Sequence, residues 1–128
     1  MDRSDIDSCS RLFNKHGGHF LRKTPLWKLS GTALGVDCAE VWLKLEHLQV
    51  GGSFKARGML NRLLANPIPA TGVVIASGGN AGIATAAAAQ ALGVRCEVFV
   101  PTTSPEAKRA RLRDLGAEVA AGRFREDL

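Results

Sequence analysis

Two glycine-rich turns, each between a predicted strand and a predicted helix, determine what fold this sequence can adopt. The first, GGSFKARG at residues 51–58, places Lys55 at the start of a helix, directly after a strand over residues 40–46. The second, SGGNAG at residues 77–82, repeats that layout about one strand–helix unit later. Ligands of open parallel sheets bind beyond the carboxyl ends of the strands, so both turns are predicted to lie at one functional edge.

Strands and helices alternate along the rest of the sequence. The alternation predicts an α/β fold with an open, mostly parallel sheet and flanking helices. The apolar run at residues 72–76 is typical of a strand covered on both faces. The other predicted elements are a helix over residues 53–66 capped by Ser53, an alanine-rich helix ending at Leu92 with Gly93 as its C-cap, a strand over residues 96–100, a helix begun by Ser104, Pro105 and Glu106 and closed by Gly116, and a strand over residues 117–121.

The sequence divides into two parts at about residue 40. Residues 1–39 are predicted to form a polar N-terminal arm, interrupted by Pro25, which pushes its predecessor away from helical backbone angles. Residues 40–128 are predicted to form a small α/β domain. Its last segment, residues 122–128, has the composition of the start of another helix, so we expect the sequence to be truncated there.

Charge and composition exclude several functions. The 17 basic and 12 acidic residues give a formal net charge of +5, but acidic residues interleave with the densest basic group at residues 106–118. Aromatic residues make up 5% of the sequence, so binding of nucleic acid is not expected. No apolar run reaches the roughly 18 residues that a membrane span requires, and the polar N-terminus does not resemble a secretory signal. These features predict a cytoplasmic protein without a membrane or nucleic-acid partner.

The cysteines and histidines do not have the spacing of a metal site. Cys9, Cys38 and Cys96 are far apart in the sequence and are expected to be reduced thiols. His16 and His19 are three residues apart in a glycine-rich segment without nearby ligands. No metal is therefore predicted.

The two turns supply groups suited to a Schiff-base ligand with a negative charge. Lys55 lies in the first turn of its helix, where the helix dipole disfavours the ammonium form, and Schiff-base chemistry requires the neutral amine. Backbone N–H groups and a hydroxyl in residues 77–82 can hold a carboxylate or a phosphate. A dinucleotide is disfavoured because Asn80 occupies the middle glycine of the G-x-G-x-x-G register, and no G-x-x-x-x-G-K-[ST] motif occurs.

The combined motifs resemble those of the fold type II pyridoxal-phosphate enzymes, the tryptophan synthase β-like group. S-F-K-x-R-G at residues 53–58 is preceded by K-L-E at residues 44–46 and followed by S-x-G-N at residues 77–80. Within the group the sequence is most similar to the serine/threonine dehydratases. The similarity extends from Thr24 to about Val119, which is most of the chain.

This resemblance implies a reaction and a role for each residue of the two turns. The reaction is the β-elimination of hydroxide from serine or threonine, which yields a 2-oxo acid and ammonia. Lys55 would form the Schiff base with pyridoxal phosphate and then remove the Cα proton. Phe54 would lie against the pyridine ring, and Asn80 would bond the phenolic oxygen. The substrate carboxylate would be held by Ser77, Gly78, Gly79, Asn80 and Ala81.

Two positions depart from the patterns of related enzymes. Ala81 stands where many threonine dehydratases have histidine, which favours the serine-dehydratase-like branch. Gly78 stands where serine racemases carry a serine that protonates the opposite face of the substrate, so racemisation is not expected.

The resemblance also implies parts that residues 1–128 do not contain. The family holds the cofactor phosphate and the pyridine nitrogen in a later, larger domain, so residues 40–128 would be the small domain of a two-domain protein. We therefore expect this chain alone to be inactive, and the complete enzyme to be a homodimer. A threonine synthase, a β-replacing synthase and a non-catalytic amino-acid-binding fragment stay open as alternatives on the same scaffold.

Overall fold

The computed structural model describes residues 2–122. Four α-helices and five strands follow one another in this part of the chain. No helix within it is long and apolar enough to cross a membrane. The helices are α1 (Arg3–Leu12), α2 (Lys55–Leu64), α3 (Asn80–Leu92) and α4 (Glu106–Asp114); the strands are β1 (Leu26–Ser30), β2 (Glu40–Lys44), β3 (Val73–Ala76), β4 (Cys96–Pro101) and β5 (Glu118–Gly122).

The centre of the fold is a parallel sheet in the order β3–β4–β5, whose strands are connected through α3 and α4. β4 is the middle strand and buries Cys96, Val98 and Val100. α3 packs on this sheet, and all its residues from Gly82 to Ala89 are buried. Small side chains on every side of a helix allow this close approach. The predicted α/β fold with a parallel sheet and flanking helices is confirmed.

The prediction that strands and helices alternate without exception is wrong at β1 and β2. These strands form a separate antiparallel pair, with Leu26 opposite Lys44 and Ser30 opposite Glu40. Only residues 31–39 connect them, whereas a parallel pair needs a crossover of about a dozen residues or more. The sequence analysis placed β1 in the arm, and therefore had no partner for β2 other than the parallel sheet.

The prediction that both faces of the 72–76 strand are covered is also wrong. β3 is an edge strand that pairs with β4 alone among the described strands. Val73 and Ile75 are half-buried, whereas Val74 keeps 63% of its surface exposed. An uninterrupted apolar run therefore does not distinguish a central strand from an edge strand with one open face.

Two helix starts differ from their predicted caps. Phe54, not Ser53, is the N-cap of α2, although the Ser53 hydroxyl accepts the N–H of Lys55 at 3.3 Å. Pro105 is the N-cap of α4, and no side chain bonds to that cap. The C-cap of α3 is predicted correctly, since Gly93 has a φ of 66°, in the left-handed region that glycine tolerates. The helix predicted at residues 122–128 lies outside the described residues from 123 onward.

Candidate active site

Lys55 is the first residue of α2 and follows a tight turn. The two glycines of that turn have left-handed backbone angles, with a φ of 75° at Gly51 and 80° at Gly52. Residues with a side chain rarely adopt these backbone angles without strain, so the turn requires glycine. The Lys55 side chain is half-buried, and its Nζ lies 5.1 Å from the centroid of the Phe54 ring. Within residues 2–122 this amine has no hydrogen bond or ion pair, and is therefore available to a ligand.

The second turn lies between β3 and α3. The N–H of Ser77 donates to the carbonyl of Phe99 at 2.9 Å, which extends the contact with β4. The Ser77 hydroxyl accepts the N–H of Gly79 at 3.3 Å, and α3 then begins at Asn80. The first N–H groups of a helix have no partner inside it, and they point toward the space before the helix. This turn therefore has the donors that an anion requires.

Gly78 lies against the loop that follows β4. A Cβ atom at this position would be 2.8 Å from the Ser104 hydroxyl oxygen and 3.1 Å from Cδ of Pro101. A side chain at position 78 would therefore require the Ser104 side chain to rotate and Pro101 to shift by a few tenths of an ångström.

The two turns approach each other through packing of helices. A Cβ on Gly51 would lie 3.3 Å from Cγ2 of Ile83, so the turn before Lys55 rests on the first turns of α3. α2 packs along α3, and Leu60 and Ala88 belong to their shared core. The predicted reason, adjacent strands of one parallel sheet, is wrong because β2 lies outside that sheet.

A polar cluster of Glu46, Arg57, Thr24 and Lys44 was not predicted from the sequence. The Glu46 carboxylate accepts two hydrogen bonds from Arg57, from Nε and from Nη2, each at 2.8 Å. It also accepts a hydrogen bond from the Thr24 hydroxyl. The Thr24 carbonyl in turn accepts a hydrogen bond from Nζ of Lys44. Arg57 stands inside the S-F-K-x-R-G motif, and an acidic residue shortly after the preceding strand is the signal that could have revealed its partner.

Arg57 strongly favours the charged form of Glu46. Its hydrogen bonds, followed by that from Thr24 and by the positive charges of Arg57 and Lys44, lower the pKa of the Glu46 carboxyl to about 2. The ordinary value is 4.5. A carboxyl whose pKa is lowered by folding stabilises the folded state above its unfolded pKa, and this contribution is lost as the pH falls through the folded pKa.

The Glu46→Gln variant is expected to lose about 1 kcal/mol of unfolding free energy at pH 7, since solvent screening reduces the full effect of the pKa shift. The difference from the unsubstituted chain should narrow as the pH falls from about 4.5 to about 2. Urea unfolding at pH 7, 4.5 and 3 measures it. Glu118→Gln is the control, because its bond with Arg95 is similar but more exposed, and a smaller loss is expected there. A difference between Glu46→Gln and the unsubstituted chain that does not change with pH would contradict the assignment.

Comparison with known proteins identifies the relatives of this arrangement. Residues 19–123 match the family model described as "Pyridoxal-phosphate dependent enzyme". The catabolic L-threonine dehydratase TdcB of Staphylococcus aureus is 36% identical over 102 residues, covering 78% of this chain and 30% of that protein. A serine racemase structure from Dictyostelium discoideum superposes with a TM-score of 0.80 at 31% identity, covering 94% of this chain and 38% of the other. Threonine deaminase isoform 2 from Solanum lycopersicum, in its processed form, gives a TM-score of 0.73 at 28% identity, covering 95% and 36%.

The helix-flanked parallel sheet is shared with these structures, and it is the fold of the type II class of pyridoxal-phosphate enzymes. The chain belongs to the family of pyridoxal-phosphate-dependent enzymes, which its match over residues 19–123 shows. The predictions of family, fold and cofactor are confirmed. The chain spans about 30% of the length of the curated relatives it matches.

Proposed function

We propose that the enzyme containing this chain catalyses the pyridoxal-phosphate-dependent β-elimination of serine or threonine to a 2-oxo acid and ammonia, and that residues 1–128 alone do not. The observation that carries the proposal is the Lys55 amine: it is half-buried, has no hydrogen bond or ion pair within residues 2–122, and starts a helix whose preceding turn rests on Ile83 in α3. Relatives named threonine dehydratase and threonine deaminase support this reaction class. Position 78 is a glycine and has no hydroxyl to protonate the second face of the substrate, which disfavours the racemase alternative.

The described residues fit a planar cofactor with negatively charged groups. Phe54 keeps 60% of its surface exposed and presents a flat apolar ring beside Nζ of Lys55. Apart from the adjoining residues, no described atom lies within 4 Å of the position that a Cβ of Gly79 would occupy, so a ligand can approach this backbone closely. Pyridoxal phosphate, when bound, withdraws electrons from Cα of the substrate.

Each candidate site residue has a task in the proposed reaction. Lys55 would hold the cofactor through Nζ and would take the proton from Cα of the substrate. Phe54 would support the pyridine ring, and Asn80 would bond the phenolic oxygen. The β-hydroxyl group would leave as water with the proton taken from Cα, and hydrolysis by a second water molecule would release ammonia and the 2-oxo acid. The substrate carboxylate is held by Ser77 and by the backbone of Gly78, Gly79, Asn80 and Ala81, at the positive end of α3.

We further propose that residues 1–39 act as an arm and residues 40–128 as the small domain. The pairing of β1 with β2 joins the two parts, so the arm is an integral part of the site's support. A cytoplasmic location is proposed from the three free cysteines, which are typical of a reducing compartment. A homodimer is proposed from the resemblance to the dehydratases.

Reduction of the full-length protein with borohydride in the presence of pyridoxal phosphate is expected to fix one phosphopyridoxyl group on Nζ of Lys55. Peptide mass spectrometry locates the label. Lys55→Arg, which keeps the positive charge, should remove it, whereas Lys28→Arg, an exposed lysine on β1, should leave it in place. Label spread evenly over exposed lysines, or unchanged in Lys55→Arg, would refute the proposal.

A further inference from the structure

We infer that the Glu46–Arg57 ion pair, tied to Thr24, is a positioning element that fixes the first turn of α2 and with it the amine of Lys55. This inference rests on the proposed function, because it concerns the residue that holds the cofactor.

The start of α2 needs an external support. Lys55 is the first helical residue, and the ends of helices fray. The N-cap residue Phe54 makes no side-chain capping bond. The chain before it contains Gly51 and Gly52, which have more backbone freedom than any other residue type. Apart from the Ser53 hydroxyl, which accepts the N–H of Lys55 at 3.3 Å, the support must come from contacts outside this turn.

The ion pair supplies this contact with a defined geometry. Arg57 lies two residues after Lys55, in the same helical turn, and its planar guanidinium meets both oxygens of Glu46. A bidentate pair of this kind fixes direction as well as distance. The Glu46 side chain is 16% exposed, so the pair is partly shielded from water. The first turn of α2 is thereby held against the segment that follows β2.

Glu46 is also held by a residue of the arm. The Thr24 hydroxyl donates to the carboxylate oxygen Oε1, and Thr24 is only 4% exposed. Lys44 donates to the Thr24 carbonyl and so links the same threonine to the end of β2. The position of the carboxylate that Arg57 contacts is therefore fixed by a second, buried residue.

A second anchor lies on the other side of the glycine turn. Gln49 is 1% exposed, and its amide accepts the N–H of Arg22 at 2.9 Å and donates to the Arg22 carbonyl at 2.8 Å. The Gln49 carbonyl accepts the N–H of Gly52 at 2.8 Å. The flexible pair of glycines is thus bracketed by Gln49 before it and by Arg57 after it. Both anchors attach the turn to the arm.

The test compares the labelling of Lys55 in variants of the ion pair. In Glu46→Gln and in Arg57→Ala, the rate at which borohydride traps a phosphopyridoxyl group on Lys55 should fall about tenfold, the size expected for loss of a charge-assisted hydrogen bond. Labelling of the exposed Lys28 in the same molecules should not change. Arg57→Lys keeps the positive charge but cannot form the two parallel hydrogen bonds of a guanidinium, so its labelling rate should lie between those of Arg57→Ala and the unsubstituted protein.

The matched control breaks a similar pair elsewhere. Arg95 contacts Glu118 through two hydrogen bonds of 2.7 and 2.6 Å, at the ends of the parallel strands away from the lysine. Glu118→Gln should therefore leave Lys55 labelling unchanged. The double variant Glu46→Gln/Arg57→Ala should lose no more than the stronger single variant, because the two residues act as one unit.

Two outcomes distinguish a failure of the positioning role from a failure of the proposed function. If Lys55 is not labelled in the unsubstituted protein, the proposed function fails. If Lys55 is labelled equally in the unsubstituted protein and in Glu46→Gln, the positioning role is wrong and the proposed function stands. Amide exchange distinguishes general unfolding: residues 53–57 should lose protection in Glu46→Gln while Val98 in the core keeps it. Equal loss at Val98 would contradict a local role.

Discussion

Replacing Gly82 with alanine is expected to lower the free energy of unfolding by about 3 kcal/mol or more, and the melting temperature by roughly 10 °C. An added Cβ would lie 2.3 Å from the carbonyl oxygen of Ser77 and 3.3 Å from Cγ1 of Val98. The first contact is with backbone, which cannot rotate away as a flexible side chain can. Either α3 or the turn after β3 must therefore shift, and both belong to the proposed site.

Two other glycines provide controls for this experiment. Gly79→Ala changes the same turn, but no described atom beyond its neighbours lies within 4 Å of the new Cβ, so a small effect on stability is expected. Gly58→Ala lies in α2 with similarly open surroundings and should stabilise the protein by up to about 1 kcal/mol, because alanine favours the helix. Thermal unfolding by circular dichroism measures all three variants. Equal stability of Gly82→Ala and Gly79→Ala would show that the close contact with Ser77 does not exist in solution.

The loss at Gly82 should also reach the anion-binding turn. The new methyl group would collide with the carbonyl of Ser77, and the hydroxyl of the same residue accepts the N–H of Gly79. A shift of this residue moves the hydroxyl away from the start of α3. In Gly82→Ala molecules that stay folded, the label on Lys55 should therefore be retained, whereas binding of a carboxylate substrate at the turn should weaken.

Much of the parallel layer could be predicted because its signals are local. The C-cap at Gly93 depends on one residue type, and the boundaries of β4 and α3 follow from runs of apolar and small side chains. The close packing of α3 follows from its small residues, the alanines and Gly82. The turns around Lys55 and Asn80 were found for the same reason, since glycines and a helix start leave a mark in a short stretch of sequence.

The errors concern features that depend on distant residues. Whether β2 joins the parallel sheet depends on β1, which is separated from it by residues 31–39, and no local pattern identifies that partner. The open face of β3 likewise depends on which strands lie beside it. Glu46 and Arg57 are eleven residues apart, and their bond exists because the glycine turn reverses the chain between them. The reactive residues of the site could therefore be predicted from the sequence, whereas the polar cluster that supports them could not.

Truncating Leu60 to alanine is expected to lower the free energy of unfolding by about 2–5 kcal/mol, the range for a buried leucine that leaves a cavity. Leu60 is 1% exposed and lies in the core between α2 and α3 with Leu63 and Ala88. Phe13 and Phe20 of the arm pack against the same cluster. The cavity would thus loosen contacts of the arm as well as those between the helices.

Leu48→Ala is the matched control for that truncation. Leu48 keeps 44% of its surface exposed, so its loss should change stability by about 0.5 kcal/mol at most. Urea unfolding of the two variants gives the comparison, and equal midpoints would contradict the assigned core. Leu60 also connects the stability of the core to the site, because it packs between the helix that begins with Lys55 and the helix that begins with Asn80. If packing between α2 and α3 sets the separation of the two turns, Leu60→Ala should slow the labelling of Lys55 under conditions where the variant is still folded. Leu48→Ala should not change the labelling rate.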